Sequence, residues 1–176
     1  MTEQDHLVLD AEVSDRVRAE LVGIGIVDRL RGSVNCRLTV YLLCGEAVHG
    51  VLRHAGADAM VLDEGKHQVL VPYMSVAHYS GLGRLAPGER SGVKRRLGLA
   101  HALRGLARDR AGLSVTVGAG APSIRLDGVI DRVGADYFDL ALVAPGEVRR
   151  KAHVQQVSTV PFTAVSLVRS RVGGAL

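Results

Sequence analysis

The residue types with the clearest chemical potential in this chain are arginines. Arg90, Lys94, Arg95, Arg96, Arg104, Arg108 and Arg110 fall in one short stretch that has few acids nearby. On a helix of 3.6 residues per turn, Lys94, His101, Arg104 and Arg108 lie near one stripe, opposite Leu99, Leu103 and Leu106. Cationic side chains so arranged can track phosphates, with an affinity that falls steeply as salt rises. A second basic run, Arg149-Arg150-Lys151, can extend the patch. The competing reading of both features is a solvated helix face and a solubilising loop, in a chain that uses Arg far more than Lys.

Other constellations are weaker. Asp127, Asp131, Asp136 and Asp139 cluster in sequence. Paired carboxylates can do acid/base work or hold Mg²⁺, but strand alternation also puts them on a wet face. The histidines (His6, His49, His54, His67, His78, His101 and His153) show no H-x-x-x-H spacing and no grouping with cysteine. His67, beside Lys66, reads as a solvated loop residue. Gly118-Ala119-Gly120-Ala121-Pro122 lacks the Lys-Ser/Thr and following helix of a phosphate loop, and reads as a hairpin turn. No catalytic residue, metal site or cofactor is therefore assigned, and the expectation is a non-enzyme.

These residues need a scaffold. Hydrophobic residues make up 47% of the 176, enough for a packed core. Apolar runs such as Leu21 to Val27 are far shorter than the roughly 20 residues that span a bilayer. Glu3 and Asp5 make the first residues acidic where a secretory signal is basic, so a cytoplasmic protein with no membrane partner is expected. The net charge of +4 favours an acidic partner, whereas the 3% aromatic content leaves few platforms for stacking bases. Cys36 and Cys44 are expected on one strand, as small buried hydrophobes facing the same way as Leu38, Val40 and Leu42.

The two halves of the sequence run in parallel. Gly50-Val51-Leu52-Arg53-His54-Ala55-Gly56-Ala57-Asp58 aligns with Gly128-Val129-Ile130-Asp131-Arg132-Val133-Gly134-Ala135-Asp136 at an offset of 78 residues. Val71-Pro72-Tyr73-Met74-Ser75-Val76 then aligns with Val160-Pro161-Phe162-Thr163-Ala164-Val165 at 89. The increase marks an insertion in the second half, around Val143 to Gln156. Upstream of each block lies a helix-like segment, Val13 to Arg31 and Val93 to Arg110. Ser14 or Asp15 is placed to cap the first, with Val17, Leu21 and Ile24 as its stripe. Gly23 and Gly25 weaken it by roughly 1 kcal/mol each against Ala. Ser91 is placed to cap the second helix, and Gly112 to stop it.

Strands follow each helix. Leu38, Val40 and Leu42 alternate with Arg37, Thr39 and Tyr41, and Leu113, Val115 and Val117 alternate likewise. Gly50 and Gly128 fall mid-strand on the inward parity, which marks a sharp bend or a close backbone approach. Each Val-Pro pair marks a break. The expected architecture is mainly β: residues 1–83 as a helix plus five short bent antiparallel strands, a linker at 84–92, and the same pattern over 93–176.

A helix followed by five short bent strands, with Gly in the second strand and a Gly-x-Asp turn into the third, resembles the Sm-like (LSm, Hfq-like) fold. The resemblance covers residues 13–83 and 93–171 and implies two small β-barrels in tandem. It also implies RNA as ligand and assembly through barrel edges. Asp136-Tyr137-Phe138-Asp139-Leu140 is similar to the family's base-contacting run, with Asp139 where an Asn stands. In the first half that place is Val61, which cannot bond a base. The family's Arg-Gly or Lys-His pair between the last two strands is replaced by Pro72-Tyr73-Met74-Ser75 and Pro161-Phe162-Thr163-Ala164. The chain also resembles actinobacterial proteins labelled transcription regulators, although it has no helix-turn-helix pair.

The expectation is a nucleic-acid-binding protein, RNA ahead of DNA, that uses Lys94, Arg95, Arg104, Arg108, Arg149, Arg150, Lys151 and Asp139. The alternative is a protein-interaction or assembly module that has lost Sm-type RNA binding. In either case the barrel edges are candidate surfaces for homo-oligomerisation.

Overall fold

The computed structural model describes residues 22–83, 96–120, 122–143 and 156–170, with positions 13, 16 and 18. The expected linker at 84–92 lies outside them, as do the proposed cap residues Ser14, Asp15 and Ser91. Val13, Arg16, Arg18 and Val22 are helical, but the first helix does not run unbroken to Arg31. It is interrupted at Gly23-Ile24-Gly25 and resumes as α1, Ile26–Gly32. Two glycines within three residues raise the backbone-entropy cost of continuing the helix, and the chain turns there. The second helix, α2, is Leu99–Arg108. Its N-cap is Gly98 and its C-cap Asp109, and the left-handed turn after it falls on Arg110 (φ 50°) instead of Gly112.

The described residues hold ten strands, in two runs of five. They are β1 (Arg37–Leu42), β2 (Ala47–Ala55), β3 (Ala59–Asp63), β4 (Gln68–Pro72), β5 (Val76–Ser80), β6 (Leu113–Val117), β7 (Ile124–Val133), β8 (Tyr137–Leu142), β9 (Gln156–Pro161) and β10 (Val165–Ser170). They form one antiparallel sheet, open and not closed, in the order β5-β1-β2-β3-β4-β10-β6-β7-β8-β9. The described strands thus make a continuous ten-stranded sheet where two closed barrels were expected. Within it, each run of five has the same internal order, its last strand paired beside its first.

Local chemistry explains the shared geometry. In β1 the alternation puts Leu38, Val40 and Leu42 inside. A Cβ on Gly50 would sit 2.6 Å from the Asp63 carbonyl oxygen, and one on Gly128 would overlap that of Ala141. Both positions therefore require glycine. One step further on, the register shifts between Leu52 and His54, and likewise between Ile130 and Arg132, as a β-bulge bends each long strand. Pro72 and Pro161 end β4 and β9, and each leads into a single 3₁₀ turn, Tyr73–Ser75 or Phe162–Ala164. Cys36 and Cys44 flank β1 and lie outside it: Cys36 is exposed, and Cys44 is buried in the turn that Gly45 closes at φ 90°.

Two apolar cores result. Leu30, Leu38, Val40, Val48, Leu52, Met60, Leu62, Val69 and Val71 form the first, joined by Leu167 from β10. Leu103, Leu106, Leu113, Val115, Ile130, Phe138, Leu140 and Val168 centre the second, joined by Ala59, Val61 and Leu70 from the first half. Strands β3 and β4 are therefore buried on both faces. Each fully buried Leu or Phe contributes roughly 1.5–3 kcal/mol, so the residues exchanged across the seam help to hold the halves together.

The seam itself has a short backbone ladder, Leu70 opposite Val168 and Val69 opposite Arg169. Side chains extend it. The Ser75 hydroxyl donates to the Ser166 carbonyl (2.7 Å), and His67 Nδ1 lies 2.8 Å from the Ser170 carbonyl. His67 is thus half-buried at the seam rather than a solvated loop residue. Among the described residues, no helix is long and apolar enough to cross a membrane.

Candidate nucleic-acid interface

Helix α2 carries the basic stripe. Leu99, Leu103 and Leu106 recur at i, i+4 and i+7 and are buried. His101, Arg104 and Arg108 recur at i, i+3 and i+7 and are exposed, and Arg96 and Arg110 flank them in solvent. The helix contains no acid. Asp109, just past its end, has its carboxylate 3.6 Å from Arg108 Nε, but both side chains are mostly exposed, so the pair neutralises little. Among the described residues, Arg96, Arg104 and Arg110 form no ion pair.

The start of the helix is bonded by the other half of the chain. The turn Gly56-Ala57-Asp58 connects β2 to β3, and the Asp58 carboxylate accepts the Leu99 N–H at 2.7 Å. That is an N-cap supplied from 41 residues away, and it satisfies one of the donors a helix start leaves orphaned. Ala57 N–H adds a bond to the Leu97 carbonyl (3.2 Å). The corresponding turn of the second half, Gly134-Ala135-Asp136, has the same backbone bonds: Gly134 N–H to Tyr137 O, and Phe162 N–H to Asp136 O. No described helix sits on it.

The two helices also correspond. Gly25-Ile26 and Leu30-Arg31-Gly32 align with Gly98-Leu99 and Leu103-Arg104-Gly105, a signal in the sequence that the helix-period reading passed over. Leu30 and Leu103 are both fully buried. The arginines differ. Arg31 pairs with Asp28 (3.3 Å) and donates to the Gly56 carbonyl (3.3 Å), whereas Arg104 is left to solvent.

Asp139 lies on β8, away from the stripe's own helix, and is 7% exposed. It is not on the wet face that strand alternation suggested. The Thr159 hydroxyl donates to Oδ1 (2.7 Å), and Arg132 Nε and Nη2 donate to Oδ2 (3.1 and 2.8 Å). Thr159 and then Arg132 hold its carboxyl below the usual carboxylate range. Both oxygens are thus committed within the protein. Of the other sequence-predicted site residues, Lys94, Arg95, Arg149, Arg150 and Lys151 lie outside the described residues, so the structure brings together Arg104 and Arg108 with His101.

One polar cluster was not foreseen. Arg169 of β10 donates to Glu64 and to Glu46, each at 3.0 Å, and Arg125 lies 3.7 Å from Glu46. Thr116, buried in β6, also donates to Glu46 (3.2 Å). Burial pushes the Glu46 carboxyl up, but its bonds to Arg169 and Thr116 and the nearby Arg125 outweigh this and leave it below its ordinary value. Each partner comes from the opposite half, so the cluster is a polar clasp across the seam. No known protein-family model matches the chain, and neither does any curated protein sequence.

Proposed function

We propose that the chain is a non-enzymatic nucleic-acid-binding protein, RNA ahead of DNA, built from two Sm-like units fused into one sheet. The observation that carries the reading is the exposed, acid-free stripe His101, Arg104 and Arg108 on α2, set opposite the buried leucines that fix the helix. Further support for the duplicated Sm-like architecture comes from the common strand order, the paired glycines Gly50 and Gly128, and the bulges beside them. In this reading the usual base-contacting turns are not the binding surface. One of them caps α2 through Asp58, and beside the other Asp139 is bonded to Arg132 and Thr159.

The test is fluorescence anisotropy with labelled single-stranded RNA, single-stranded DNA and duplex DNA at several salt concentrations. RNA should bind with strong salt dependence. In an Arg104→Glu/Arg108→Glu variant, the slope of log affinity against log salt should become shallower by about 1.4, the share of two phosphate contacts on a single strand. Absence of binding to all three probes would overturn the reading.

A second reading, an assembly module, is favoured by one observation: β5 and β9 end the sheet, each with one unpaired edge among the described strands. Light scattering across a concentration series decides it. A mass that stays at one chain excludes assembly through these edges.

A further inference from the structure

A cleft of about 570 Å³ opens between the end of α1, the outer face of β2–β4 and the start of α2. Its size falls within the roughly 300–1,000 Å³ of ligand sites. We infer that it receives one nucleobase of a single strand whose phosphates run along the α2 stripe, an inference that rests on the nucleic-acid reading above. Val61, Leu70 and Ala102 supply an apolar wall. In a chain with no Trp and 3% aromatics, such a wall is the available substitute for a stacking ring.

The cleft-lining side chain with an unpartnered polar atom among the described residues is His54. It lines the cleft, its Nε2 is shielded from solvent, and neither ring nitrogen has a hydrogen bond among the described residues. A buried polar atom left without a partner costs about 1–3 kcal/mol, so native structures rarely tolerate one without a use. A neutral imidazole offers one donor and one acceptor, the same mixture that a base edge presents. The shielded Nε atoms of Arg29 and Arg31 differ from it, because those guanidinium groups are bonded through their other nitrogens.

His101 joins the two surfaces. It lines the cleft and also starts the exposed series His101, Arg104, Arg108, which extends about 10 Å along the helix. A strand lying on the stripe therefore passes the cleft mouth. In the second half, the positions corresponding to His54, Val61 and Leu70 hold Arg132, Asp139 and Thr159, which bond to one another. There the equivalent polar groups satisfy each other and await no ligand.

The experiment titrates the full chain with nucleoside monophosphates while NMR follows the His54 and His101 imidazole signals. In parallel, labelled single-stranded RNA is bound to the wild type and to Ala102→Phe, which fills the cleft, and His54→Leu, which removes its polar group. Mononucleotides should shift the His54 signals in the wild type and not in Ala102→Phe. Both variants should bind RNA about tenfold more weakly, one base's contribution, with the salt slope unchanged. If RNA binding is lost in Arg104→Glu/Arg108→Glu but untouched by both cleft variants, the cleft is overturned and the stripe stands. A His54 response to mononucleotides without any RNA binding would instead overturn the strand and leave the cleft as a nucleotide site. His54 signals unmoved by millimolar mononucleotides would also overturn the inference.

Discussion

The two halves of the sheet share strand order, mid-strand glycine and bulge, but they use the outer face of their third and fourth strands differently. In the first half that face is Ala59, Val61 and Leu70, all buried, clustered with the leucines of α2 and lining the cleft at its start. In the second half the corresponding residues are Tyr137, Asp139 and Thr159, and the buried carboxylate accepts from Thr159 and from the exposed Arg132. The last strand of each run of five repeats the contrast. Val168 of β10 is buried against β4, whereas its counterpart Tyr79 in β5 is only half-buried, and the neighbouring His78 is exposed. A few side chains thus separate an internal seam from a terminal face on nearly the same backbone. Polar residues on an exposed edge also oppose unplanned strand pairing.

Exchanging residues between the halves should break the comparison most sharply. Val61→Asp puts the second half's carboxylate on the buried wall of the cleft, where His54 stands in place of the arginine that would pair with it. The loss should be about 3–5 kcal/mol, the cost of an uncompensated buried charge, measured by urea denaturation. A loss near zero would mean that this wall of the cleft is wet.

A smaller effect separates the two turns. Asp58→Ala should destabilise by about 1 kcal/mol, because it removes the α2 N-cap. Asp136→Ala, at the corresponding position with no helix on it, should stay within about 0.5 kcal/mol. Equal losses would imply that both turns hold something.

The smallest effect concerns acid. Glu46, Asp63 and Asp139 all titrate below their ordinary values in the folded chain, Asp63 through the Gly65 N–H and then Arg53. The unfolded chain therefore takes up protons first as pH falls. The stability these carboxylates contribute is complete above the ordinary carboxylate range and is lost as pH drops through their folded values. Glu46→Gln should flatten that acid limb, read as the pH dependence of Tm, and leave its neutral plateau less affected than Val61→Asp does.

Much of each half was legible along the chain because local periodicity encodes it. Alternation announced β1, the inward parity of Gly50 and Gly128 announced the bends, and the leucine spacing announced α2. The seam was not legible, because its partners are far apart: Leu70 meets Val168, and Asp58 meets Leu99. A hint was present in Ala59-Met60-Val61-Leu62 and Val69-Leu70-Val71, where apolar residues run without alternation, as in a strand covered on both faces. The stripe's Arg104 and Arg108 could be read from helical spacing, whereas the commitment of Asp139 to Thr159 across strands could not.

The position of β10 has a consequence for how the molecule is made. This tenth strand in chain order sits in the middle of the sheet, between β4 and β6. During synthesis β1 to β9 leave the ribosome before β10, so β4 lacks its β10 neighbour until translation has passed Ser170. Val69 and Leu70 then wait uncovered, and the interval before β10 arrives is when a nascent chain is most exposed to pairing with another.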